Sequence, residues 1–74
     1  MSDKEAPVVG TLTLDTRSGR VGRVMDFRWS HVQLRPPEGG TEWDARPEDL
    51  RSLDSLERLS ARVAEINARS RSAL

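Results

Sequence analysis

The sequence has no cysteine, no tyrosine, one phenylalanine and a single histidine, His31. Without cysteine there is neither a disulfide framework nor a thiolate metal site. One histidine alone does not make a zinc site of the usual nitrogen and sulfur ligands. No metal or cofactor is therefore expected. An excess of one charge is lacking too. Twelve Lys+Arg and twelve Asp+Glu residues give a formal net charge of zero, which argues against a partner held mainly by phosphate electrostatics. No apolar run approaches a membrane span. The polar start, Met1-Ser2-Asp3-Lys4-Glu5-Ala6-Pro7, has none of the apolar stretch of a secretory signal. A cytoplasmic chain without membrane contact is expected. At 74 residues the chain makes one domain at most, near the smallest size that folds unstapled, so most apolar side chains are needed for the core.

What is present in quantity is arginine, Lys4 being the one lysine. Single arginines have structural reasons, but wholesale replacement of lysine points to high genomic GC content. The charges are unevenly placed. Arg17, Arg20, Arg23, Arg28 and Arg35 face only Asp26 within residues 17–35, whereas residues 36–57 carry Glu38, Glu42, Asp44, Glu48, Asp49, Asp54 and Glu57 against Arg46 and Arg51. From residue 58 the chain turns basic again, with Arg58, Arg62, Arg69 and Arg71 against Glu65. Either the blocks face and neutralise one another, or the first strands carry a basic face.

Residues 1–7 end in proline and read as a disordered leader. Val8–Asp15 alternates threonine with leucine, predicting a half-buried strand with Leu12 and Leu14 on its apolar face. Thr16-Arg17-Ser18-Gly19 is a turn. A second strand covers Arg20–Phe27, with a bend or bulge expected at Gly22, where the alternation breaks. His31–Arg35 alternates cleanly with Val32 and Leu34 inward, and Pro36-Pro37-Glu38-Gly39-Gly40 stops it. Thr41–Ala45 is a fourth strand, Arg46–Leu50 a helical turn opened by proline, and Arg51–Leu53 a brief last strand. Closely spaced short strands with turn signals between them fit a small barrel.

From Asp54 the period changes. Leu56, Leu59, Val63 and Ile66 recur at three- and four-residue steps, one apolar stripe on a helix. Asp54 is its N-cap and Glu57, three residues on, completes a capping box. The expected organisation is a leader over 1–7, a barrel over 8–53, an amphipathic helix over 54–71 and a frayed tail over 72–74. Docking of the stripe on an open end of the barrel is the simplest use of it. The other use is pairing with a second copy or another protein's helix.

Three stretches carry a resemblance: Gly19-Arg20-Val21-Gly22-Arg23-Val24-Met25-Asp26, Val32-Gln33-Leu34-Arg35-Pro36, and Glu42-Trp43-Asp44-Ala45 with Pro47-Glu48-Asp49-Leu50-Arg51. They resemble small uncharacterised proteins of actinobacteria, streptomycetes in particular, a likeness that supplies an origin and no activity. More distantly, the strand order and the turn before the last strand are similar to SH3-like barrels, including the nucleic-acid-binding KOW type. With the residue patterns above, the expectation is a mainly β fold with a C-terminal helix: a small barrel of four to five antiparallel strands, SH3-like by this resemblance, plus one amphipathic α-helix. A tryptophan-bearing strand followed by proline, here Trp43 and Pro47, also occurs in proline-peptide-binding SH3 domains. With no tyrosine, the aromatic floor for a polyproline ligand is missing.

Catalytic constellations are wanting. Ser30 and His31 near Asp26 are the residue types of a hydrolytic triad, but neighbours on a strand point to opposite faces, so Ser30 and His31 diverge. Glu38, Glu42, Asp44, Glu48 and Asp49 match no calcium-loop spacing and read as a solvated acidic face. Phe27 and Trp43 are expected to be mostly buried. Trp29, between Arg28 and Ser30 in a turn, is the better candidate for exposure, the equal alternative being that it folds back over the barrel edge.

No enzyme is expected. The reading is a protein-interaction module, an adaptor or small regulator, with partner-binding residues among Arg17, Arg20, Arg23, Arg28, Trp29, Leu56, Leu59, Val63 and Ile66. The chain would act as a monomer or a helix-mediated homodimer. The alternative is a nucleic-acid-binding barrel that uses Arg17, Arg20, Arg23, Arg28 and Trp29, arginines beside an exposed aromatic being a platform for stacked bases.

Overall fold

A computed structural model describes residues 8–72; the leader expected over 1–7 and residues 73–74 of the expected tail lie outside them. The chain is mainly β. Its strands are β1 (Leu12–Asp15), β2 (Arg20–Arg28), β3 (His31–Arg35), β4 (Trp43–Ala45) and β5 (Leu50–Arg51), with a 3-10 turn over Pro47–Asp49 and a helix, α1 (Ser55–Ser72). All pairings are antiparallel, in the order β4-β3-β2-β1-β5, and the sheet curls into a half-barrel.

Turn chemistry sets the connections. Gly19 takes a φ of 74° between β1 and β2, a conformation glycine adopts without steric cost. The Asp15 carboxylate steadies the same turn by accepting from the Arg17 N–H at 3.1 Å and the Ser18 hydroxyl at 3.0 Å. Arg28 pairs with His31, leaving Trp29 and Ser30 as a two-residue hairpin turn.

The concave face holds the core. Val24, Val32, Leu34 and Ala45 are buried there, with Trp43 and Leu50 packed against them. Thr13 and Asp15 are buried on this side as well, while Leu12 and Leu14 are only half-buried. The expected orientation of β1 is thus reversed. Thr13 lies opposite Gly22 and Leu14 opposite Val21, so the two leucines share the outer face with Val21. Burying a threonine and an aspartate is tolerable because both are hydrogen-bonded. Thr13 donates its hydroxyl to the Arg51 carbonyl at 3.0 Å. Among the described residues no buried side-chain nitrogen or oxygen lacks a partner.

The bulge lies at Met25, not at Gly22. Val24 pairs with Leu34 and Asp26 with Gln33, so Met25 is the extra residue. This re-phases β2 and lets Val24 and Phe27, three apart, occupy the concave side. Gly22 stays in register and serves another purpose. A Cβ built there would lie 2.8 Å from Trp43 Cη2 and 2.9 Å from Leu34 Cβ, so the Trp43 ring lies where only glycine leaves room. Phe27, expected in the core, sits near the hairpin tip and is 39% exposed.

Helix α1 begins with a reciprocal capping box. The Glu57 N–H donates to Asp54 Oδ1 at 2.7 Å, and the Asp54 N–H donates to Glu57 Oε1 at 3.0 Å. The helix lies on the outer face, tied to β2 by Arg23. That guanidinium donates through Nε and Nη2 to Glu65 at 2.5 and 2.6 Å and through Nη1 to the Gly10 carbonyl. Among the described residues no helix is long and apolar enough to cross a membrane.

Candidate interaction surface

Each turn of α1 brings Glu57, Ala61, Ala64, Glu65 and Ala68 to one side, and these are its buried and half-buried residues. Alanine permits close approach of the helix to the sheet, and Glu65 anchors it through Arg23. The apolar stripe lies on the opposite side. Leu56 is 76% exposed, Leu59 61%, Val63 47% and Ile66 49%. The stripe therefore does not dock on the barrel as expected: the helix is held by its alanine side, and the larger aliphatic side chains face outward. Four exposed aliphatics contiguous on one helix face are an unusual feature for so small a surface.

Arg58 and Arg62 lie along one edge of the stripe. Arg58 donates to the Leu53 carbonyl at 3.1 Å. Arg62 stands 3.6 Å from Glu65 Oε1, a carboxylate already committed to Arg23. The hydrogen bonds from Arg23 hold the Glu65 carboxyl below its ordinary pKa against the opposing effect of burial, and raise that of Arg23 in turn. Leu12, Leu59, Arg23 and Arg62 line a shallow open groove between helix and β1.

The strand arginines are not gathered. Arg17 is exposed in the first turn. Arg20 lies over the Trp43 ring, 4.0 Å from its centroid. Arg23 is held between Glu65 and Gly10. Arg28 pairs with Asp26 at 3.1 Å at the far end of β2, eight residue steps from Arg20, or roughly 26 Å at strand rise. Arg35 pairs with Glu42 at 3.2 Å. Four of the five arginines of this segment thus contact a carboxylate or an aromatic ring, and they divide between the two faces of the sheet. Local pairing, not a basic face, is their arrangement.

Outside the helix Val8, Val9, Phe27 and Trp29 are exposed, Trp29 the most. It is 91% exposed and takes a φ of 58°, the left-handed region where a tryptophan is strained. Asp26 accepts from the Phe27 N–H at 2.8 Å as well as pairing with Arg28. Among the described residues no three histidine, cysteine or acidic side chains gather as a metal site would require.

Sequence reasoning missed Asp15 as a structural residue, because nothing local marks a strand-end aspartate as the acceptor for the indole N–H of Trp43. It also missed Gly22 as the floor beneath that ring. Arginine-rich β2 and the helix stripe were visible, but which side of the helix meets the sheet was not. No known family model matches the chain, and no curated protein or solved structure matches it either.

Proposed function

We propose that this chain is a non-enzymatic protein-interaction module, an adaptor or small regulator working in the cytoplasm, whose curled sheet is an SH3-like barrel serving to display α1. The observation that carries the reading is the orientation of the helix. Its alanine side is bound to the sheet, and Leu56, Leu59, Val63 and Ile66 remain exposed. Exposing large aliphatics is costly in a domain with so few apolar residues to bury. A partner that covers them removes that cost.

The test is site-specific photocrosslinking in the producing cell, with a photoreactive residue at position 59, at position 29, or at position 52 as an exposed control. The expected result is one discrete adduct from position 59 that disappears when Val63→Asp is added. Adducts from position 29 alone would move the site to the hairpin tip. The absence of any adduct specific to position 59 would refute the stripe as the interface.

The nucleic-acid reading keeps one supporting observation, the exposed Trp29 beside Arg28. Binding of short oligonucleotides that weakens steeply with salt, and that maps to residues 28–31, would favour it.

A further inference from the structure

We propose, resting on the interaction reading above, that α1 presents a two-heptad coiled-coil seam whose occupant is an amphipathic helix of a different protein, with acidic side chains bordering its own apolar stripe. The steps between Leu56, Leu59, Val63 and Ile66 are three, four and three, the a-d-a-d spacing of a heptad seam. In that register Ser60 and Asn67 stand at e, and Arg62 and Arg69 at g. The residues turned to the sheet, Glu57, Ala61, Ala64, Glu65 and Ala68, fall at b, f, b, c and f. The sheet thus covers the back of the heptads and leaves the whole seam open.

Charge identifies the occupant. The described helix contains two acidic residues, Glu57 and Glu65, and both lie on the sheet side. Glu57 is used in the capping box and pairs with Arg51 at 3.6 Å. Glu65 is held by two nitrogens of Arg23. Arg62 shares this already engaged carboxylate at 3.6 Å with its side chain 56% exposed, and among the described residues Arg69 has no ion pair. The seam is therefore bordered by positive charge along its g edge, with no acid of its own at e or g.

A second copy fits this border poorly. Antiparallel self-pairing with the whole seam overlapped sets g against g, which puts Arg62 of one copy beside Arg62 of the other. Parallel self-pairing sets g against e, which puts Arg62 beside Asn67 and makes no ion pair. Residues at e and g choose the partner of a coiled coil, and these choose glutamate or aspartate. The lack of any aromatic residue on α1 and the narrow aliphatic stripe are unlike an interfacial membrane helix, which presents a broad apolar face often bearing tryptophan or phenylalanine.

Two heptads are short for an autonomous coiled coil, because an isolated helix of that length must first nucleate. Here α1 is already ordered by its capping box and by Arg23. Only the incoming helix has to be ordered.

The test uses the full chain and two synthetic helical peptides with identical leucine and isoleucine heptads. One carries glutamate at every e and g position and the other lysine, so that its own charge keeps each from self-pairing. Fluorescence anisotropy of the labelled peptides is read at low and high salt. The acidic peptide should bind about four- to thirtyfold more tightly, as two attractive pairs replacing two repulsive ones would give, and salt should shrink the difference. Arg62→Glu with Arg69→Glu should reverse the preference. Val63→Asp should abolish binding of either peptide while leaving the amide spectrum of the sheet unchanged, since Val63 points away from it.

Equal binding of both peptides, removed by Val63→Asp, would overturn the acidic-partner inference and leave the interaction reading intact. Binding of neither peptide would overturn the seam itself, and crosslinking from position 59 would then decide the wider reading separately. A concentration-dependent dimer in sedimentation, lost with Val63→Asp, would make a second copy the occupant. Adsorption to phosphatidylserine vesicles, lost with the same substitution, would make it a lipid surface. Either outcome overturns the proposal.

Discussion

Trp43 donates its indole N–H to Asp15 Oδ2 at 2.9 Å across the concave face. In the sheet order these residues lie on strands separated by two others, which a flat sheet would hold about 14 Å apart. The bond is thus a brace from the edge strand β4 to β1 across the curl of the sheet. Asp15→Ala removes the acceptor for the indole, the Ser18 hydroxyl and the Arg17 N–H together. It should lower unfolding free energy by about 2–3 kcal/mol in urea denaturation, and the indole proton resonance of Trp43 should move toward its solvent-exposed position.

The same carboxylate makes stability depend on pH. Burial opposes ionisation of Asp15, but hydrogen bonds from Trp43, Ser18 and the Arg17 and Ser18 backbone together hold its pKa below the ordinary value. Glu65 is lowered as well, first by the hydrogen bonds from Arg23. Both groups bind protons more weakly folded than unfolded. Their stabilisation is complete above the unfolded carboxylate range, near pH 4, and is lost as pH falls through the lower folded values. Thermal midpoints should be level near neutrality and drop from about pH 5 downward. Asp15→Asn combined with Glu65→Gln should flatten that drop while lowering the midpoint at neutral pH.

Gly22→Ala tests the close approach of the Trp43 ring. In a strand an alanine is ordinarily the more stable choice. Here its Cβ would meet both Trp43 and Leu34 inside contact distance. A loss of about 1–3 kcal/mol is expected, with a shifted Trp43 emission. A gain in stability would show that the ring moves aside freely.

Trp29→Gly should do the opposite. The side chain is exposed and the backbone sits at a positive φ, so glycine relieves strain at little packing cost. Stability should rise by about 0.5–1 kcal/mol, whereas Trp29→Ala should leave it nearly unchanged. A fall with glycine would mean that the indole contributes packing at the tip.

Glu65→Gln tests how α1 is held. Arg23 and Glu65 are the principal polar tie between helix and sheet. Weakening it should speed amide hydrogen exchange in α1 severalfold while that of β2 and β3 changes little.

The parts legible beforehand were those that local chemistry decides. β3 came from the alternation of Val32 and Leu34, and the helix start from the Asp54 and Glu57 pair, because both signals lie within a few residues. For β1 the apolar count favours Leu12 and Leu14 inward, the reverse of the burial found. The burial of Thr13 and Asp15 depends instead on Arg51 and Trp43, which arrive from later strands. Gly22 looked like a bend, yet the glycine is required by a ring from β4, and the bulge at Met25 has no local marker. The helix period was plain, but its docked side was not. The alanines and Glu65 face the sheet, where Arg23 receives the glutamate, and that meeting is decided across 42 residues of chain.

That docked side also separates two kinds of mutational freedom. Changes at Ala61, Ala64, Glu65 or Ala68 are judged by the fold, since each alters how the helix sits on the sheet. Changes at Leu56, Leu59, Val63, Ile66, Arg62 or Arg69 leave the fold largely untouched. One scaffold can therefore drift toward a new binding preference without crossing a stability threshold on the way.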